Sequence, residues 1–222
     1  MNNIVKSDCW KWNIVTSDVW KCPSIESYYL LNRWHNVDNI LDLGCGIGRH
    51  TILFASSNIS VYAFDLSIDG INETKKWANQ LNLNNIEYSI GDMLNLPYKD
   101  NMIDSIICYN VISHTNTQGV KKVINEINRV LKSGGEAFIT LCSKDTWSYK
   151  QDWPKIDDNT LLKMEEGPEY KIPHFYADYE LIKELFKDFE IIKLRHIEDF
   201  YTSNNKECRS YHYHILIKKA AS

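Results

Sequence analysis

From residue 39 onward, short apolar runs alternate with amphipathic stretches, and this alternation restricts the possible folds more than any other feature. Residues 39–43 form the first apolar run, which is predicted to be a buried strand. Residues 119–131 form the clearest amphipathic stretch, because their apolar side chains recur at helical spacing. Strands that alternate with helices of this length indicate parallel βαβ units, so the predicted fold class is α/β with an open, doubly wound sheet. Further strands are predicted at residues 60–65, 86–90, 103–109 and 137–142.

The chain of 222 residues is predicted to be a single domain, since it is long enough for one complete core and short for two. Residues 1–38 are rich in aromatic side chains and are interpreted as an N-terminal cap. Residues 143–176 have no clear periodicity and are interpreted as an insertion of the kind that often forms a binding loop. Residues 177–222 are expected to supply a helix and two edge strands paired as a hairpin. The helix is predicted at 178–186 and the strands at 190–195 and 211–218.

The composition of the chain limits the kinds of partner and the location that we expect for it. The chain has 25 basic and 29 acidic residues, a net charge of −4, and no basic run dense enough to follow a phosphate backbone. No nucleic-acid partner is therefore expected. No segment reaches the roughly 20 apolar residues that a membrane helix needs, and residues 1–8 lack a signal-peptide core, so no membrane association is expected. The six cysteines are scattered without a C-x-x-C pair, which favours a reducing, cytoplasmic location.

A glycine-rich turn between the first strand and the following helix carries the main functional signal. Residues 42–48 read Asp-Leu-Gly-Cys-Gly-Ile-Gly, and glycines here permit positive φ and direct contact between backbone and ligand. The spacing differs from the G-x-G-x-x-G of dinucleotide-binding loops, which disfavours a nicotinamide dehydrogenase. Asp65 ends the second strand about 20 residues later, where an acid in a doubly wound fold accepts hydrogen bonds from a ribose. Asp92 follows the third strand, on the side where an adenine would lie.

These strand-end motifs together resemble those of the class I S-adenosylmethionine-dependent methyltransferases. They cover roughly residues 39–142, which we define as the cofactor-binding half. The resemblance implies a seven-stranded Rossmann-like sheet of order 3-2-1-4-5-7-6 with the last strand antiparallel. It also implies S-adenosylmethionine as cofactor and S-adenosylhomocysteine as product. Residues 174–178 resemble, more loosely, the small-molecule type 11 and tellurite-resistance-like branches. The motifs that carry the main resemblance are Asp42-x-Gly44-x-Gly46-x-Gly48, Asp65, Gly91-Asp92 and the segments 104–114 and 131–135.

The resemblance implies a role for each strand end. The backbone of residues 44–48 would hold the methionine moiety, Asp65 the ribose, and Asp92 with Met93 the adenine. Other roles stay open for the acids: a helix cap for Asp65, a purely structural hydrogen bond for Asp42, and a solvated turn for Asp92. The predicted cofactor-binding residues are Asp42, Gly44, Cys45, Gly46, Gly48, Asp65, Leu66, Asp92, Met93 and Asn110.

Candidate catalytic residues lie near the ends of the fourth strand and of the insertion. His114 is interpreted as a base or substrate contact, or alternatively as a loop histidine in solvent. His174 and Tyr176 are expected either to line the substrate pocket or to pack the following helix. His212 and His214 share one face of the last strand, since side chains alternate along a strand, but no companion ligand has convincing spacing. No metal site is therefore predicted.

The lead prediction for function is methyl transfer to a small-molecule acceptor by in-line displacement, in a monomer or homodimer. The alternative is a catalytically inactive cofactor-binding module that acts through a protein partner. Residues 110–113 lack the two prolines and aromatic typical of enzymes that methylate base amino groups of nucleic acids. The aromatic N-terminus, with Trp10, Trp12 and Trp20, is expected either to close over the cleft as a lid or to pack at the sheet edge.

Overall fold

The protein is described here by a computed structural model covering residues 3–5, 10–15, 17–203 and 206–221. The strands of its main sheet are β1 Asn39–Leu43, β2 Ser60–Asp65, β3 Ile86–Ile90, β4 Ile103–Cys108, β5 Leu131–Ser143, β9 Phe189–Ser203 and β10 Lys206–Lys219. Their order across the sheet is β3-β2-β1-β4-β5-β10-β9, in which the first five strands are parallel and β10 is antiparallel to both of its neighbours. The predicted order 3-2-1-4-5-7-6 with an antiparallel last strand is thus confirmed.

Side-chain caps fix the starts of the helices that follow the strands. The Ser67 hydroxyl accepts a hydrogen bond from the Gly70 amide at 3.2 Å, and the Asn116 amide oxygen accepts one from Gly119 at 3.0 Å. The Asp178 carboxylate accepts one from Leu181 at 2.9 Å. Each cap satisfies an amide that has no partner within its helix. The helices are α1 Ile25–Arg33, α2 Arg49–Ser56, α3 Ile68–Gln80, α4 Thr117–Val130 and α5 Tyr179–Leu185.

The core lies on both faces of the sheet. Helices α4 and α5 bury apolar side chains against one face, where Leu41, Ile106 and Ile139 are fully buried. Helices α1 and α2 pack against the other face, around Ile40 and Ile107. Neighbouring side chains of one strand point to opposite faces of the sheet, and both faces are covered. The strands are therefore continuous apolar runs, as expected for a parallel sheet covered on both sides.

Residues 143–176 are more ordered than their sequence indicates. They contain three short strands, β6 Lys155–Asp157, β7 Thr160–Leu162 and β8 Pro173–Ala177. Strand β8 pairs with the end of β5, where Cys142 faces Tyr176, and β7 and β6 continue from it. All five residues of β8 are buried, so it shows no alternation, and the other two strands are too short for a pattern.

Two predicted boundaries were wrong. Residues 132–135, which lie between the predicted helix 119–131 and the predicted strand 137–142, are part of β5, with Gly134 at a φ of 75°. The last two strands are much longer than predicted and pair as an antiparallel ribbon. The ribbon's outer part carries exposed residues, including Phe200 at 58% exposure, and therefore lacks an apolar signature. Asn204 and Asn205, in the predicted turn, lie outside the described residues.

In the described part of the chain, no helix combines the length and apolar character needed to cross a membrane.

Candidate active site

A cavity of about 870 Å³ opens where β1, β2 and β4 end at their carboxyl edge. In open α/β sheets this edge, at the point where the strand order reverses, is the usual place for a ligand. One end of the cavity is formed by the glycine-rich loop and Asp65, and the other end by His114, His174 and Glu169. The cavity therefore joins the predicted cofactor region to the predicted acceptor region.

The glycine-rich loop owes its shape to positive φ angles. These angles are 77° at Gly44, 55° at Gly46 and 91° at Gly48, which only glycine adopts without strain. The Gly44 amide donates to the Phe64 carbonyl at 2.7 Å, which ties the loop to the end of β2. A Cβ built on Gly44 would come within 2.3 Å of the Val111 side chain. The loop is thus a closely packed cradle that lines the cavity.

Replacing Gly44 by alanine should lower the free energy of unfolding by about 2 to 4 kcal/mol. The new methyl group would overlap both methyls of Val111, a β-branched side chain with little freedom to turn away. Gly134→Ala is the matched control, because its φ is 75° but the nearest atom to a Cβ is 4.0 Å away. That variant should lose only about 1 kcal/mol, from strain alone. Urea unfolding measures both, and equal losses would contradict the packing argument.

Asp65 occupies the position expected for a ribose acceptor. Its two carboxylate oxygens accept hydrogen bonds from the amides of Gly46 at 2.8 Å and Ser67 at 2.7 Å. The side chain lines the cavity with 7% of its surface exposed, and burial raises its pKa. Each oxygen retains a second lone pair, so the carboxylate can still accept from a diol. The expected hydrogen-bond chemistry for the ribose of S-adenosylmethionine is therefore present.

The other predicted cofactor residues divide into two groups. Asp42, Gly48 and Asp92 are not among the residues that line the cavity. Asp42 is buried and accepts from the Thr51 hydroxyl at 2.6 Å, and burial raises its pKa to about 6. Asp92 accepts from the Leu94 amide at 2.9 Å and so stabilises the turn after β3. The cavity itself is lined by Gly44, Cys45, Gly46, Asp65, Leu66, Met93 and Asn110.

Three tryptophans of the N-terminal cap cover the glycine-rich loop. The ring centroids of Trp10 and Trp20 lie 4.4 Å apart, and Trp12 lies 5.1 Å from Trp10. The Trp12 ring is so close to Gly46 that a Cβ there would approach it to 2.4 Å. All three tryptophans line the cavity, and Arg49 stacks on Trp20 at 5.8 Å. This arrangement supports the lid interpretation of the N-terminus over simple packing at the sheet edge.

Deleting residues 1–22 is expected to weaken S-adenosylmethionine binding about tenfold, the size of one desolvated cation–π contact. The reason is that the deletion removes the aromatic wall of the cavity while leaving α1 in the core. Calorimetric titration measures the loss, and S-adenosylhomocysteine, which carries no sulfonium charge, should lose less. Thermal unfolding of the shortened chain provides the folding control. Unchanged affinity in a folded deletion variant would rule out the lid.

At the opposite end of the cavity, Glu169 is the centre of a polar cluster. Its Oε1 lies 3.4 Å from the Nε2 atoms of both His114 and His174, and accepts from Trp10 Nε1 at 2.7 Å. Its Oε2 accepts a hydrogen bond from Lys163. Burial opposes ionisation of Glu169, but these neighbours outweigh it and hold its pKa well below the usual range. The acid is therefore ionised at neutral pH.

The structure brings together two of the three predicted catalytic residues. His114 and His174 line the cavity with ring centroids 5.0 Å apart, and burial lowers the pKa of His114. Tyr176 is fully buried behind them, where its hydroxyl donates to Ser148 at 3.0 Å and burial raises its pKa. It is not among the residues that line the cavity. Its position favours the packing interpretation.

Sequence reasoning missed Glu169 and Lys163, and it gave the last-strand histidines no role in the site. Glu169 and Lys163 lie in the aperiodic insertion, and their only signal was the presence of charged residues beside Gly167 and Pro168. His212 lines the cavity, and burial lowers its pKa to about 4. His214 instead approaches the Glu26 carboxylate at 3.1 Å.

Comparison with known proteins agrees with this geometry. Residues 40–135 match the family described as a methyltransferase domain. The chain is 30% identical to norajmaline N-methyltransferase of Rauvolfia serpentina, over 56% of this chain and 43% of that one. It is 28% identical to a tRNA (carboxymethyluridine(34)-5-O)-methyltransferase of Arabidopsis thaliana, over 60% of this chain and 36% of that one. The matches thus span less than half of these relatives.

A solved structure extends the likeness beyond the matched segment. The fold superimposes on a SAM-dependent methyltransferase of Methanosarcina mazei with a TM-score of 0.72 and 21% identity, over 87% of this chain and 98% of that one. The glycine-rich loop, Asp65 and the strands β2, β3 and β4 all lie in the segment that the family match covers. Residues 40–135 therefore match the methyltransferase domain family, the chain has the fold of the class I S-adenosylmethionine-dependent methyltransferases, and these similarities support S-adenosylmethionine as its cofactor.

Proposed function

We propose that the protein transfers the methyl group of S-adenosylmethionine to a small-molecule acceptor by in-line displacement. The observation that carries this proposal is the single cavity of about 870 Å³ that runs from Asp65 to the His114–Glu169–His174 cluster. Its volume lies within the range of small-ligand sites in proteins. A cytoplasmic location is part of the same proposal and rests on the cysteine pattern of the sequence.

Two aromatic walls of the cavity favour a small acceptor. The N-terminal cap closes one side with Trp10, Trp12 and Trp20, and the region of β9 and the insertion closes another with Trp147 and Tyr201. The Trp147 ring nitrogen donates to the Tyr201 hydroxyl at 2.9 Å, which links the insertion to β9 within the second wall. A polymer would have to displace these aromatic walls to reach the cavity. The net charge of −4 also offers little attraction for a phosphate backbone.

The residues of this chain would contribute mainly by positioning the cofactor and the acceptor and by excluding water. When bound, S-adenosylmethionine supplies an electrophilic methyl group on a positively charged sulfur. Asp65 and the loop of Gly44 and Gly46 would hold the ribose and methionine ends. An acceptor between them and His114 would attack along the line of the breaking carbon–sulfur bond. If the acceptor atom carries a proton, that proton leaves toward the polar cluster, where His114 is neutral because burial lowers its pKa.

Turnover with small acceptors tests the proposal. The purified chain would be mixed with S-adenosylmethionine and, separately, with panels of thiols, phenols, amines and carboxylic acids, with bulk tRNA and with protein extract. We expect release of S-adenosylhomocysteine with at least one small acceptor, and its loss in Asp65→Ala. Methyl incorporation only into RNA or protein would overturn the choice of acceptor. Tight cofactor binding without turnover on any panel would favour the inactive-module alternative.

A further inference from the structure

We infer that His114, His174 and Glu169 form a three-ligand site for one divalent transition-metal ion of the zinc type. The three side chains each offer one ligand atom, and these atoms lie within 4.8 Å of one another. Two imidazole nitrogens and one carboxylate oxygen, with a fourth position open, form a donor set that catalytic zinc sites use. No spacing in the sequence indicates this set, because Glu169 reaches the histidines only through the fold.

The interatomic distances suit tetrahedral coordination. Metal–ligand bonds of about 2.0 to 2.1 Å place neighbouring tetrahedral ligands about 3.3 Å apart. The Glu169 Oε1 atom lies 3.4 Å from Nε2 of His114 and 3.4 Å from Nε2 of His174. Two of the three ligand–ligand edges therefore already have the required length. The remaining edge, between the two histidines, is no longer than 4.8 Å and would have to shorten to about 3.3 Å.

The hydrogen bonding of His174 presents a lone pair to the centre of the cluster. Its Nδ1 atom lies 3.1 Å from the Ile172 carbonyl oxygen, which can only accept, so Nδ1 carries the proton. In the neutral ring, Nε2 then presents a lone pair directly to the Glu169 carboxylate. Two lone pairs facing each other at 3.4 Å repel unless a cation, either a proton or a metal ion, lies between them. A carbonyl bound to the distal nitrogen is also the usual support of a metal-binding histidine.

The carboxylate is similarly supported. Lys163 bonds Oε2 of Glu169, and Trp10 donates to one lone pair of Oε1, which leaves the other lone pair of Oε1 toward the histidines. Because the ammonium of Lys163 already balances the acid, an added ion would bring excess positive charge. That charge favours an anionic fourth ligand in the open position. If the proposed function holds, this ligand is the acceptor itself, bound as a thiolate or alkoxide. Its proton then goes to solvent, because His114 binds the ion and no longer accepts a proton.

Metal binding can be measured without any methyl acceptor. The full chain, without an affinity tag and stripped with a chelator, would be titrated with Co²⁺ and Zn²⁺ by absorption spectroscopy and calorimetry. We expect one tight equivalent, with the visible absorption of four-coordinate Co²⁺. His114→Gln, His174→Gln and Glu169→Gln should each weaken this binding at least about 100-fold. Glu165→Gln and His196→Gln are matched controls, because they remove a carboxylate near Lys163 and a histidine outside the cluster.

Folding is checked separately for each variant by near-ultraviolet circular dichroism. The double variant Lys163→Met/Glu169→Gln provides a second test, because it removes the metal ligand Glu169 together with the Lys163 charge that Glu169 balances. Absence of a tight equivalent in the wild-type chain would overturn the inference, and so would unchanged binding in folded His174→Gln. Neither result would overturn the proposed methyl transfer, which is measured separately by release of S-adenosylhomocysteine.

Discussion

Asp65→Ala is expected to weaken binding of S-adenosylhomocysteine at least about 100-fold. Hydrogen bonds to a charged acceptor contribute about 1.5 to 3 kcal/mol each, and a ribose diol would make two of them. The variant also loses the acceptor that holds the Gly46 amide at 2.8 Å, so the loop of the cradle becomes less ordered. Both effects act on the bound state, and a loss of about 3 kcal/mol corresponds to a factor of more than 100. Isothermal titration calorimetry measures the affinity directly.

The control for this prediction is Asp104→Ala. Asp104 is also a partly buried acid whose carboxylate accepts from backbone amides, those of Asp38 at 3.2 Å and Asn39 at 3.1 Å. It lies at the amino end of β4, whereas the cavity lies at the carboxyl edge of the sheet. We expect this variant to lose stability but to keep its affinity. Wild-type affinity in a folded Asp65→Ala variant would refute the role of Asp65 as the ribose acceptor.

The cofactor-binding half was predictable because its signals are local in sequence. The positive φ angles of Gly44, Gly46 and Gly48 require glycine, so the turn is visible as a spacing of glycines. Asp65 follows directly from its position at the end of an apolar run. The strand order itself came from the family resemblance. No pattern of apolar residues within a single chain specifies which parallel strands are neighbours.

The acceptor end was not predictable, because it depends on contacts between distant segments. The Phe175 amide donates to the Ser113 carbonyl at 2.8 Å, and this bond brings His174 of β8 beside His114. Glu169 joins them through the loop between β7 and β8, and Trp10 joins from the N-terminal cap. Strand β8 is wholly buried, and the loop has no periodicity. A hydropathy pattern reports burial along one segment, but it cannot report which segments meet.

The second large expected effect concerns the ion pair between Glu169 and Lys163 at the acceptor end of the cavity. Glu169→Gln is expected to lower the free energy of unfolding by about 3 kcal/mol, at the lower end of the cost of breaking a buried ion pair. The reason is that Lys163, with 16% of its side chain exposed, would lose the partner that stabilises its charge. Adding Lys163→Met should restore most of the loss, since a methionine needs no counter-charge. Urea unfolding of the four members of this cycle gives the coupling energy.

The pH dependence of the same variants separates charge from packing. The pKa of Glu169 in the folded chain lies well below its ordinary value of 4.5. Its ionised form therefore stabilises the fold fully above about pH 4.5, and this contribution declines as the pH falls toward the folded-state pKa. The stability difference between the wild-type chain and Glu169→Gln should thus shrink below pH 4.5.

The control is Glu165→Gln, because the Glu165 carboxylate lies 3.5 Å from Lys163 and its side chain is 29% exposed. This variant should lower the free energy of unfolding by less than about 1 kcal/mol at any pH. A loss in Glu169→Gln that stays constant with pH and persists in the double variant would show that Glu169 stabilises the fold by packing, not by pairing with Lys163.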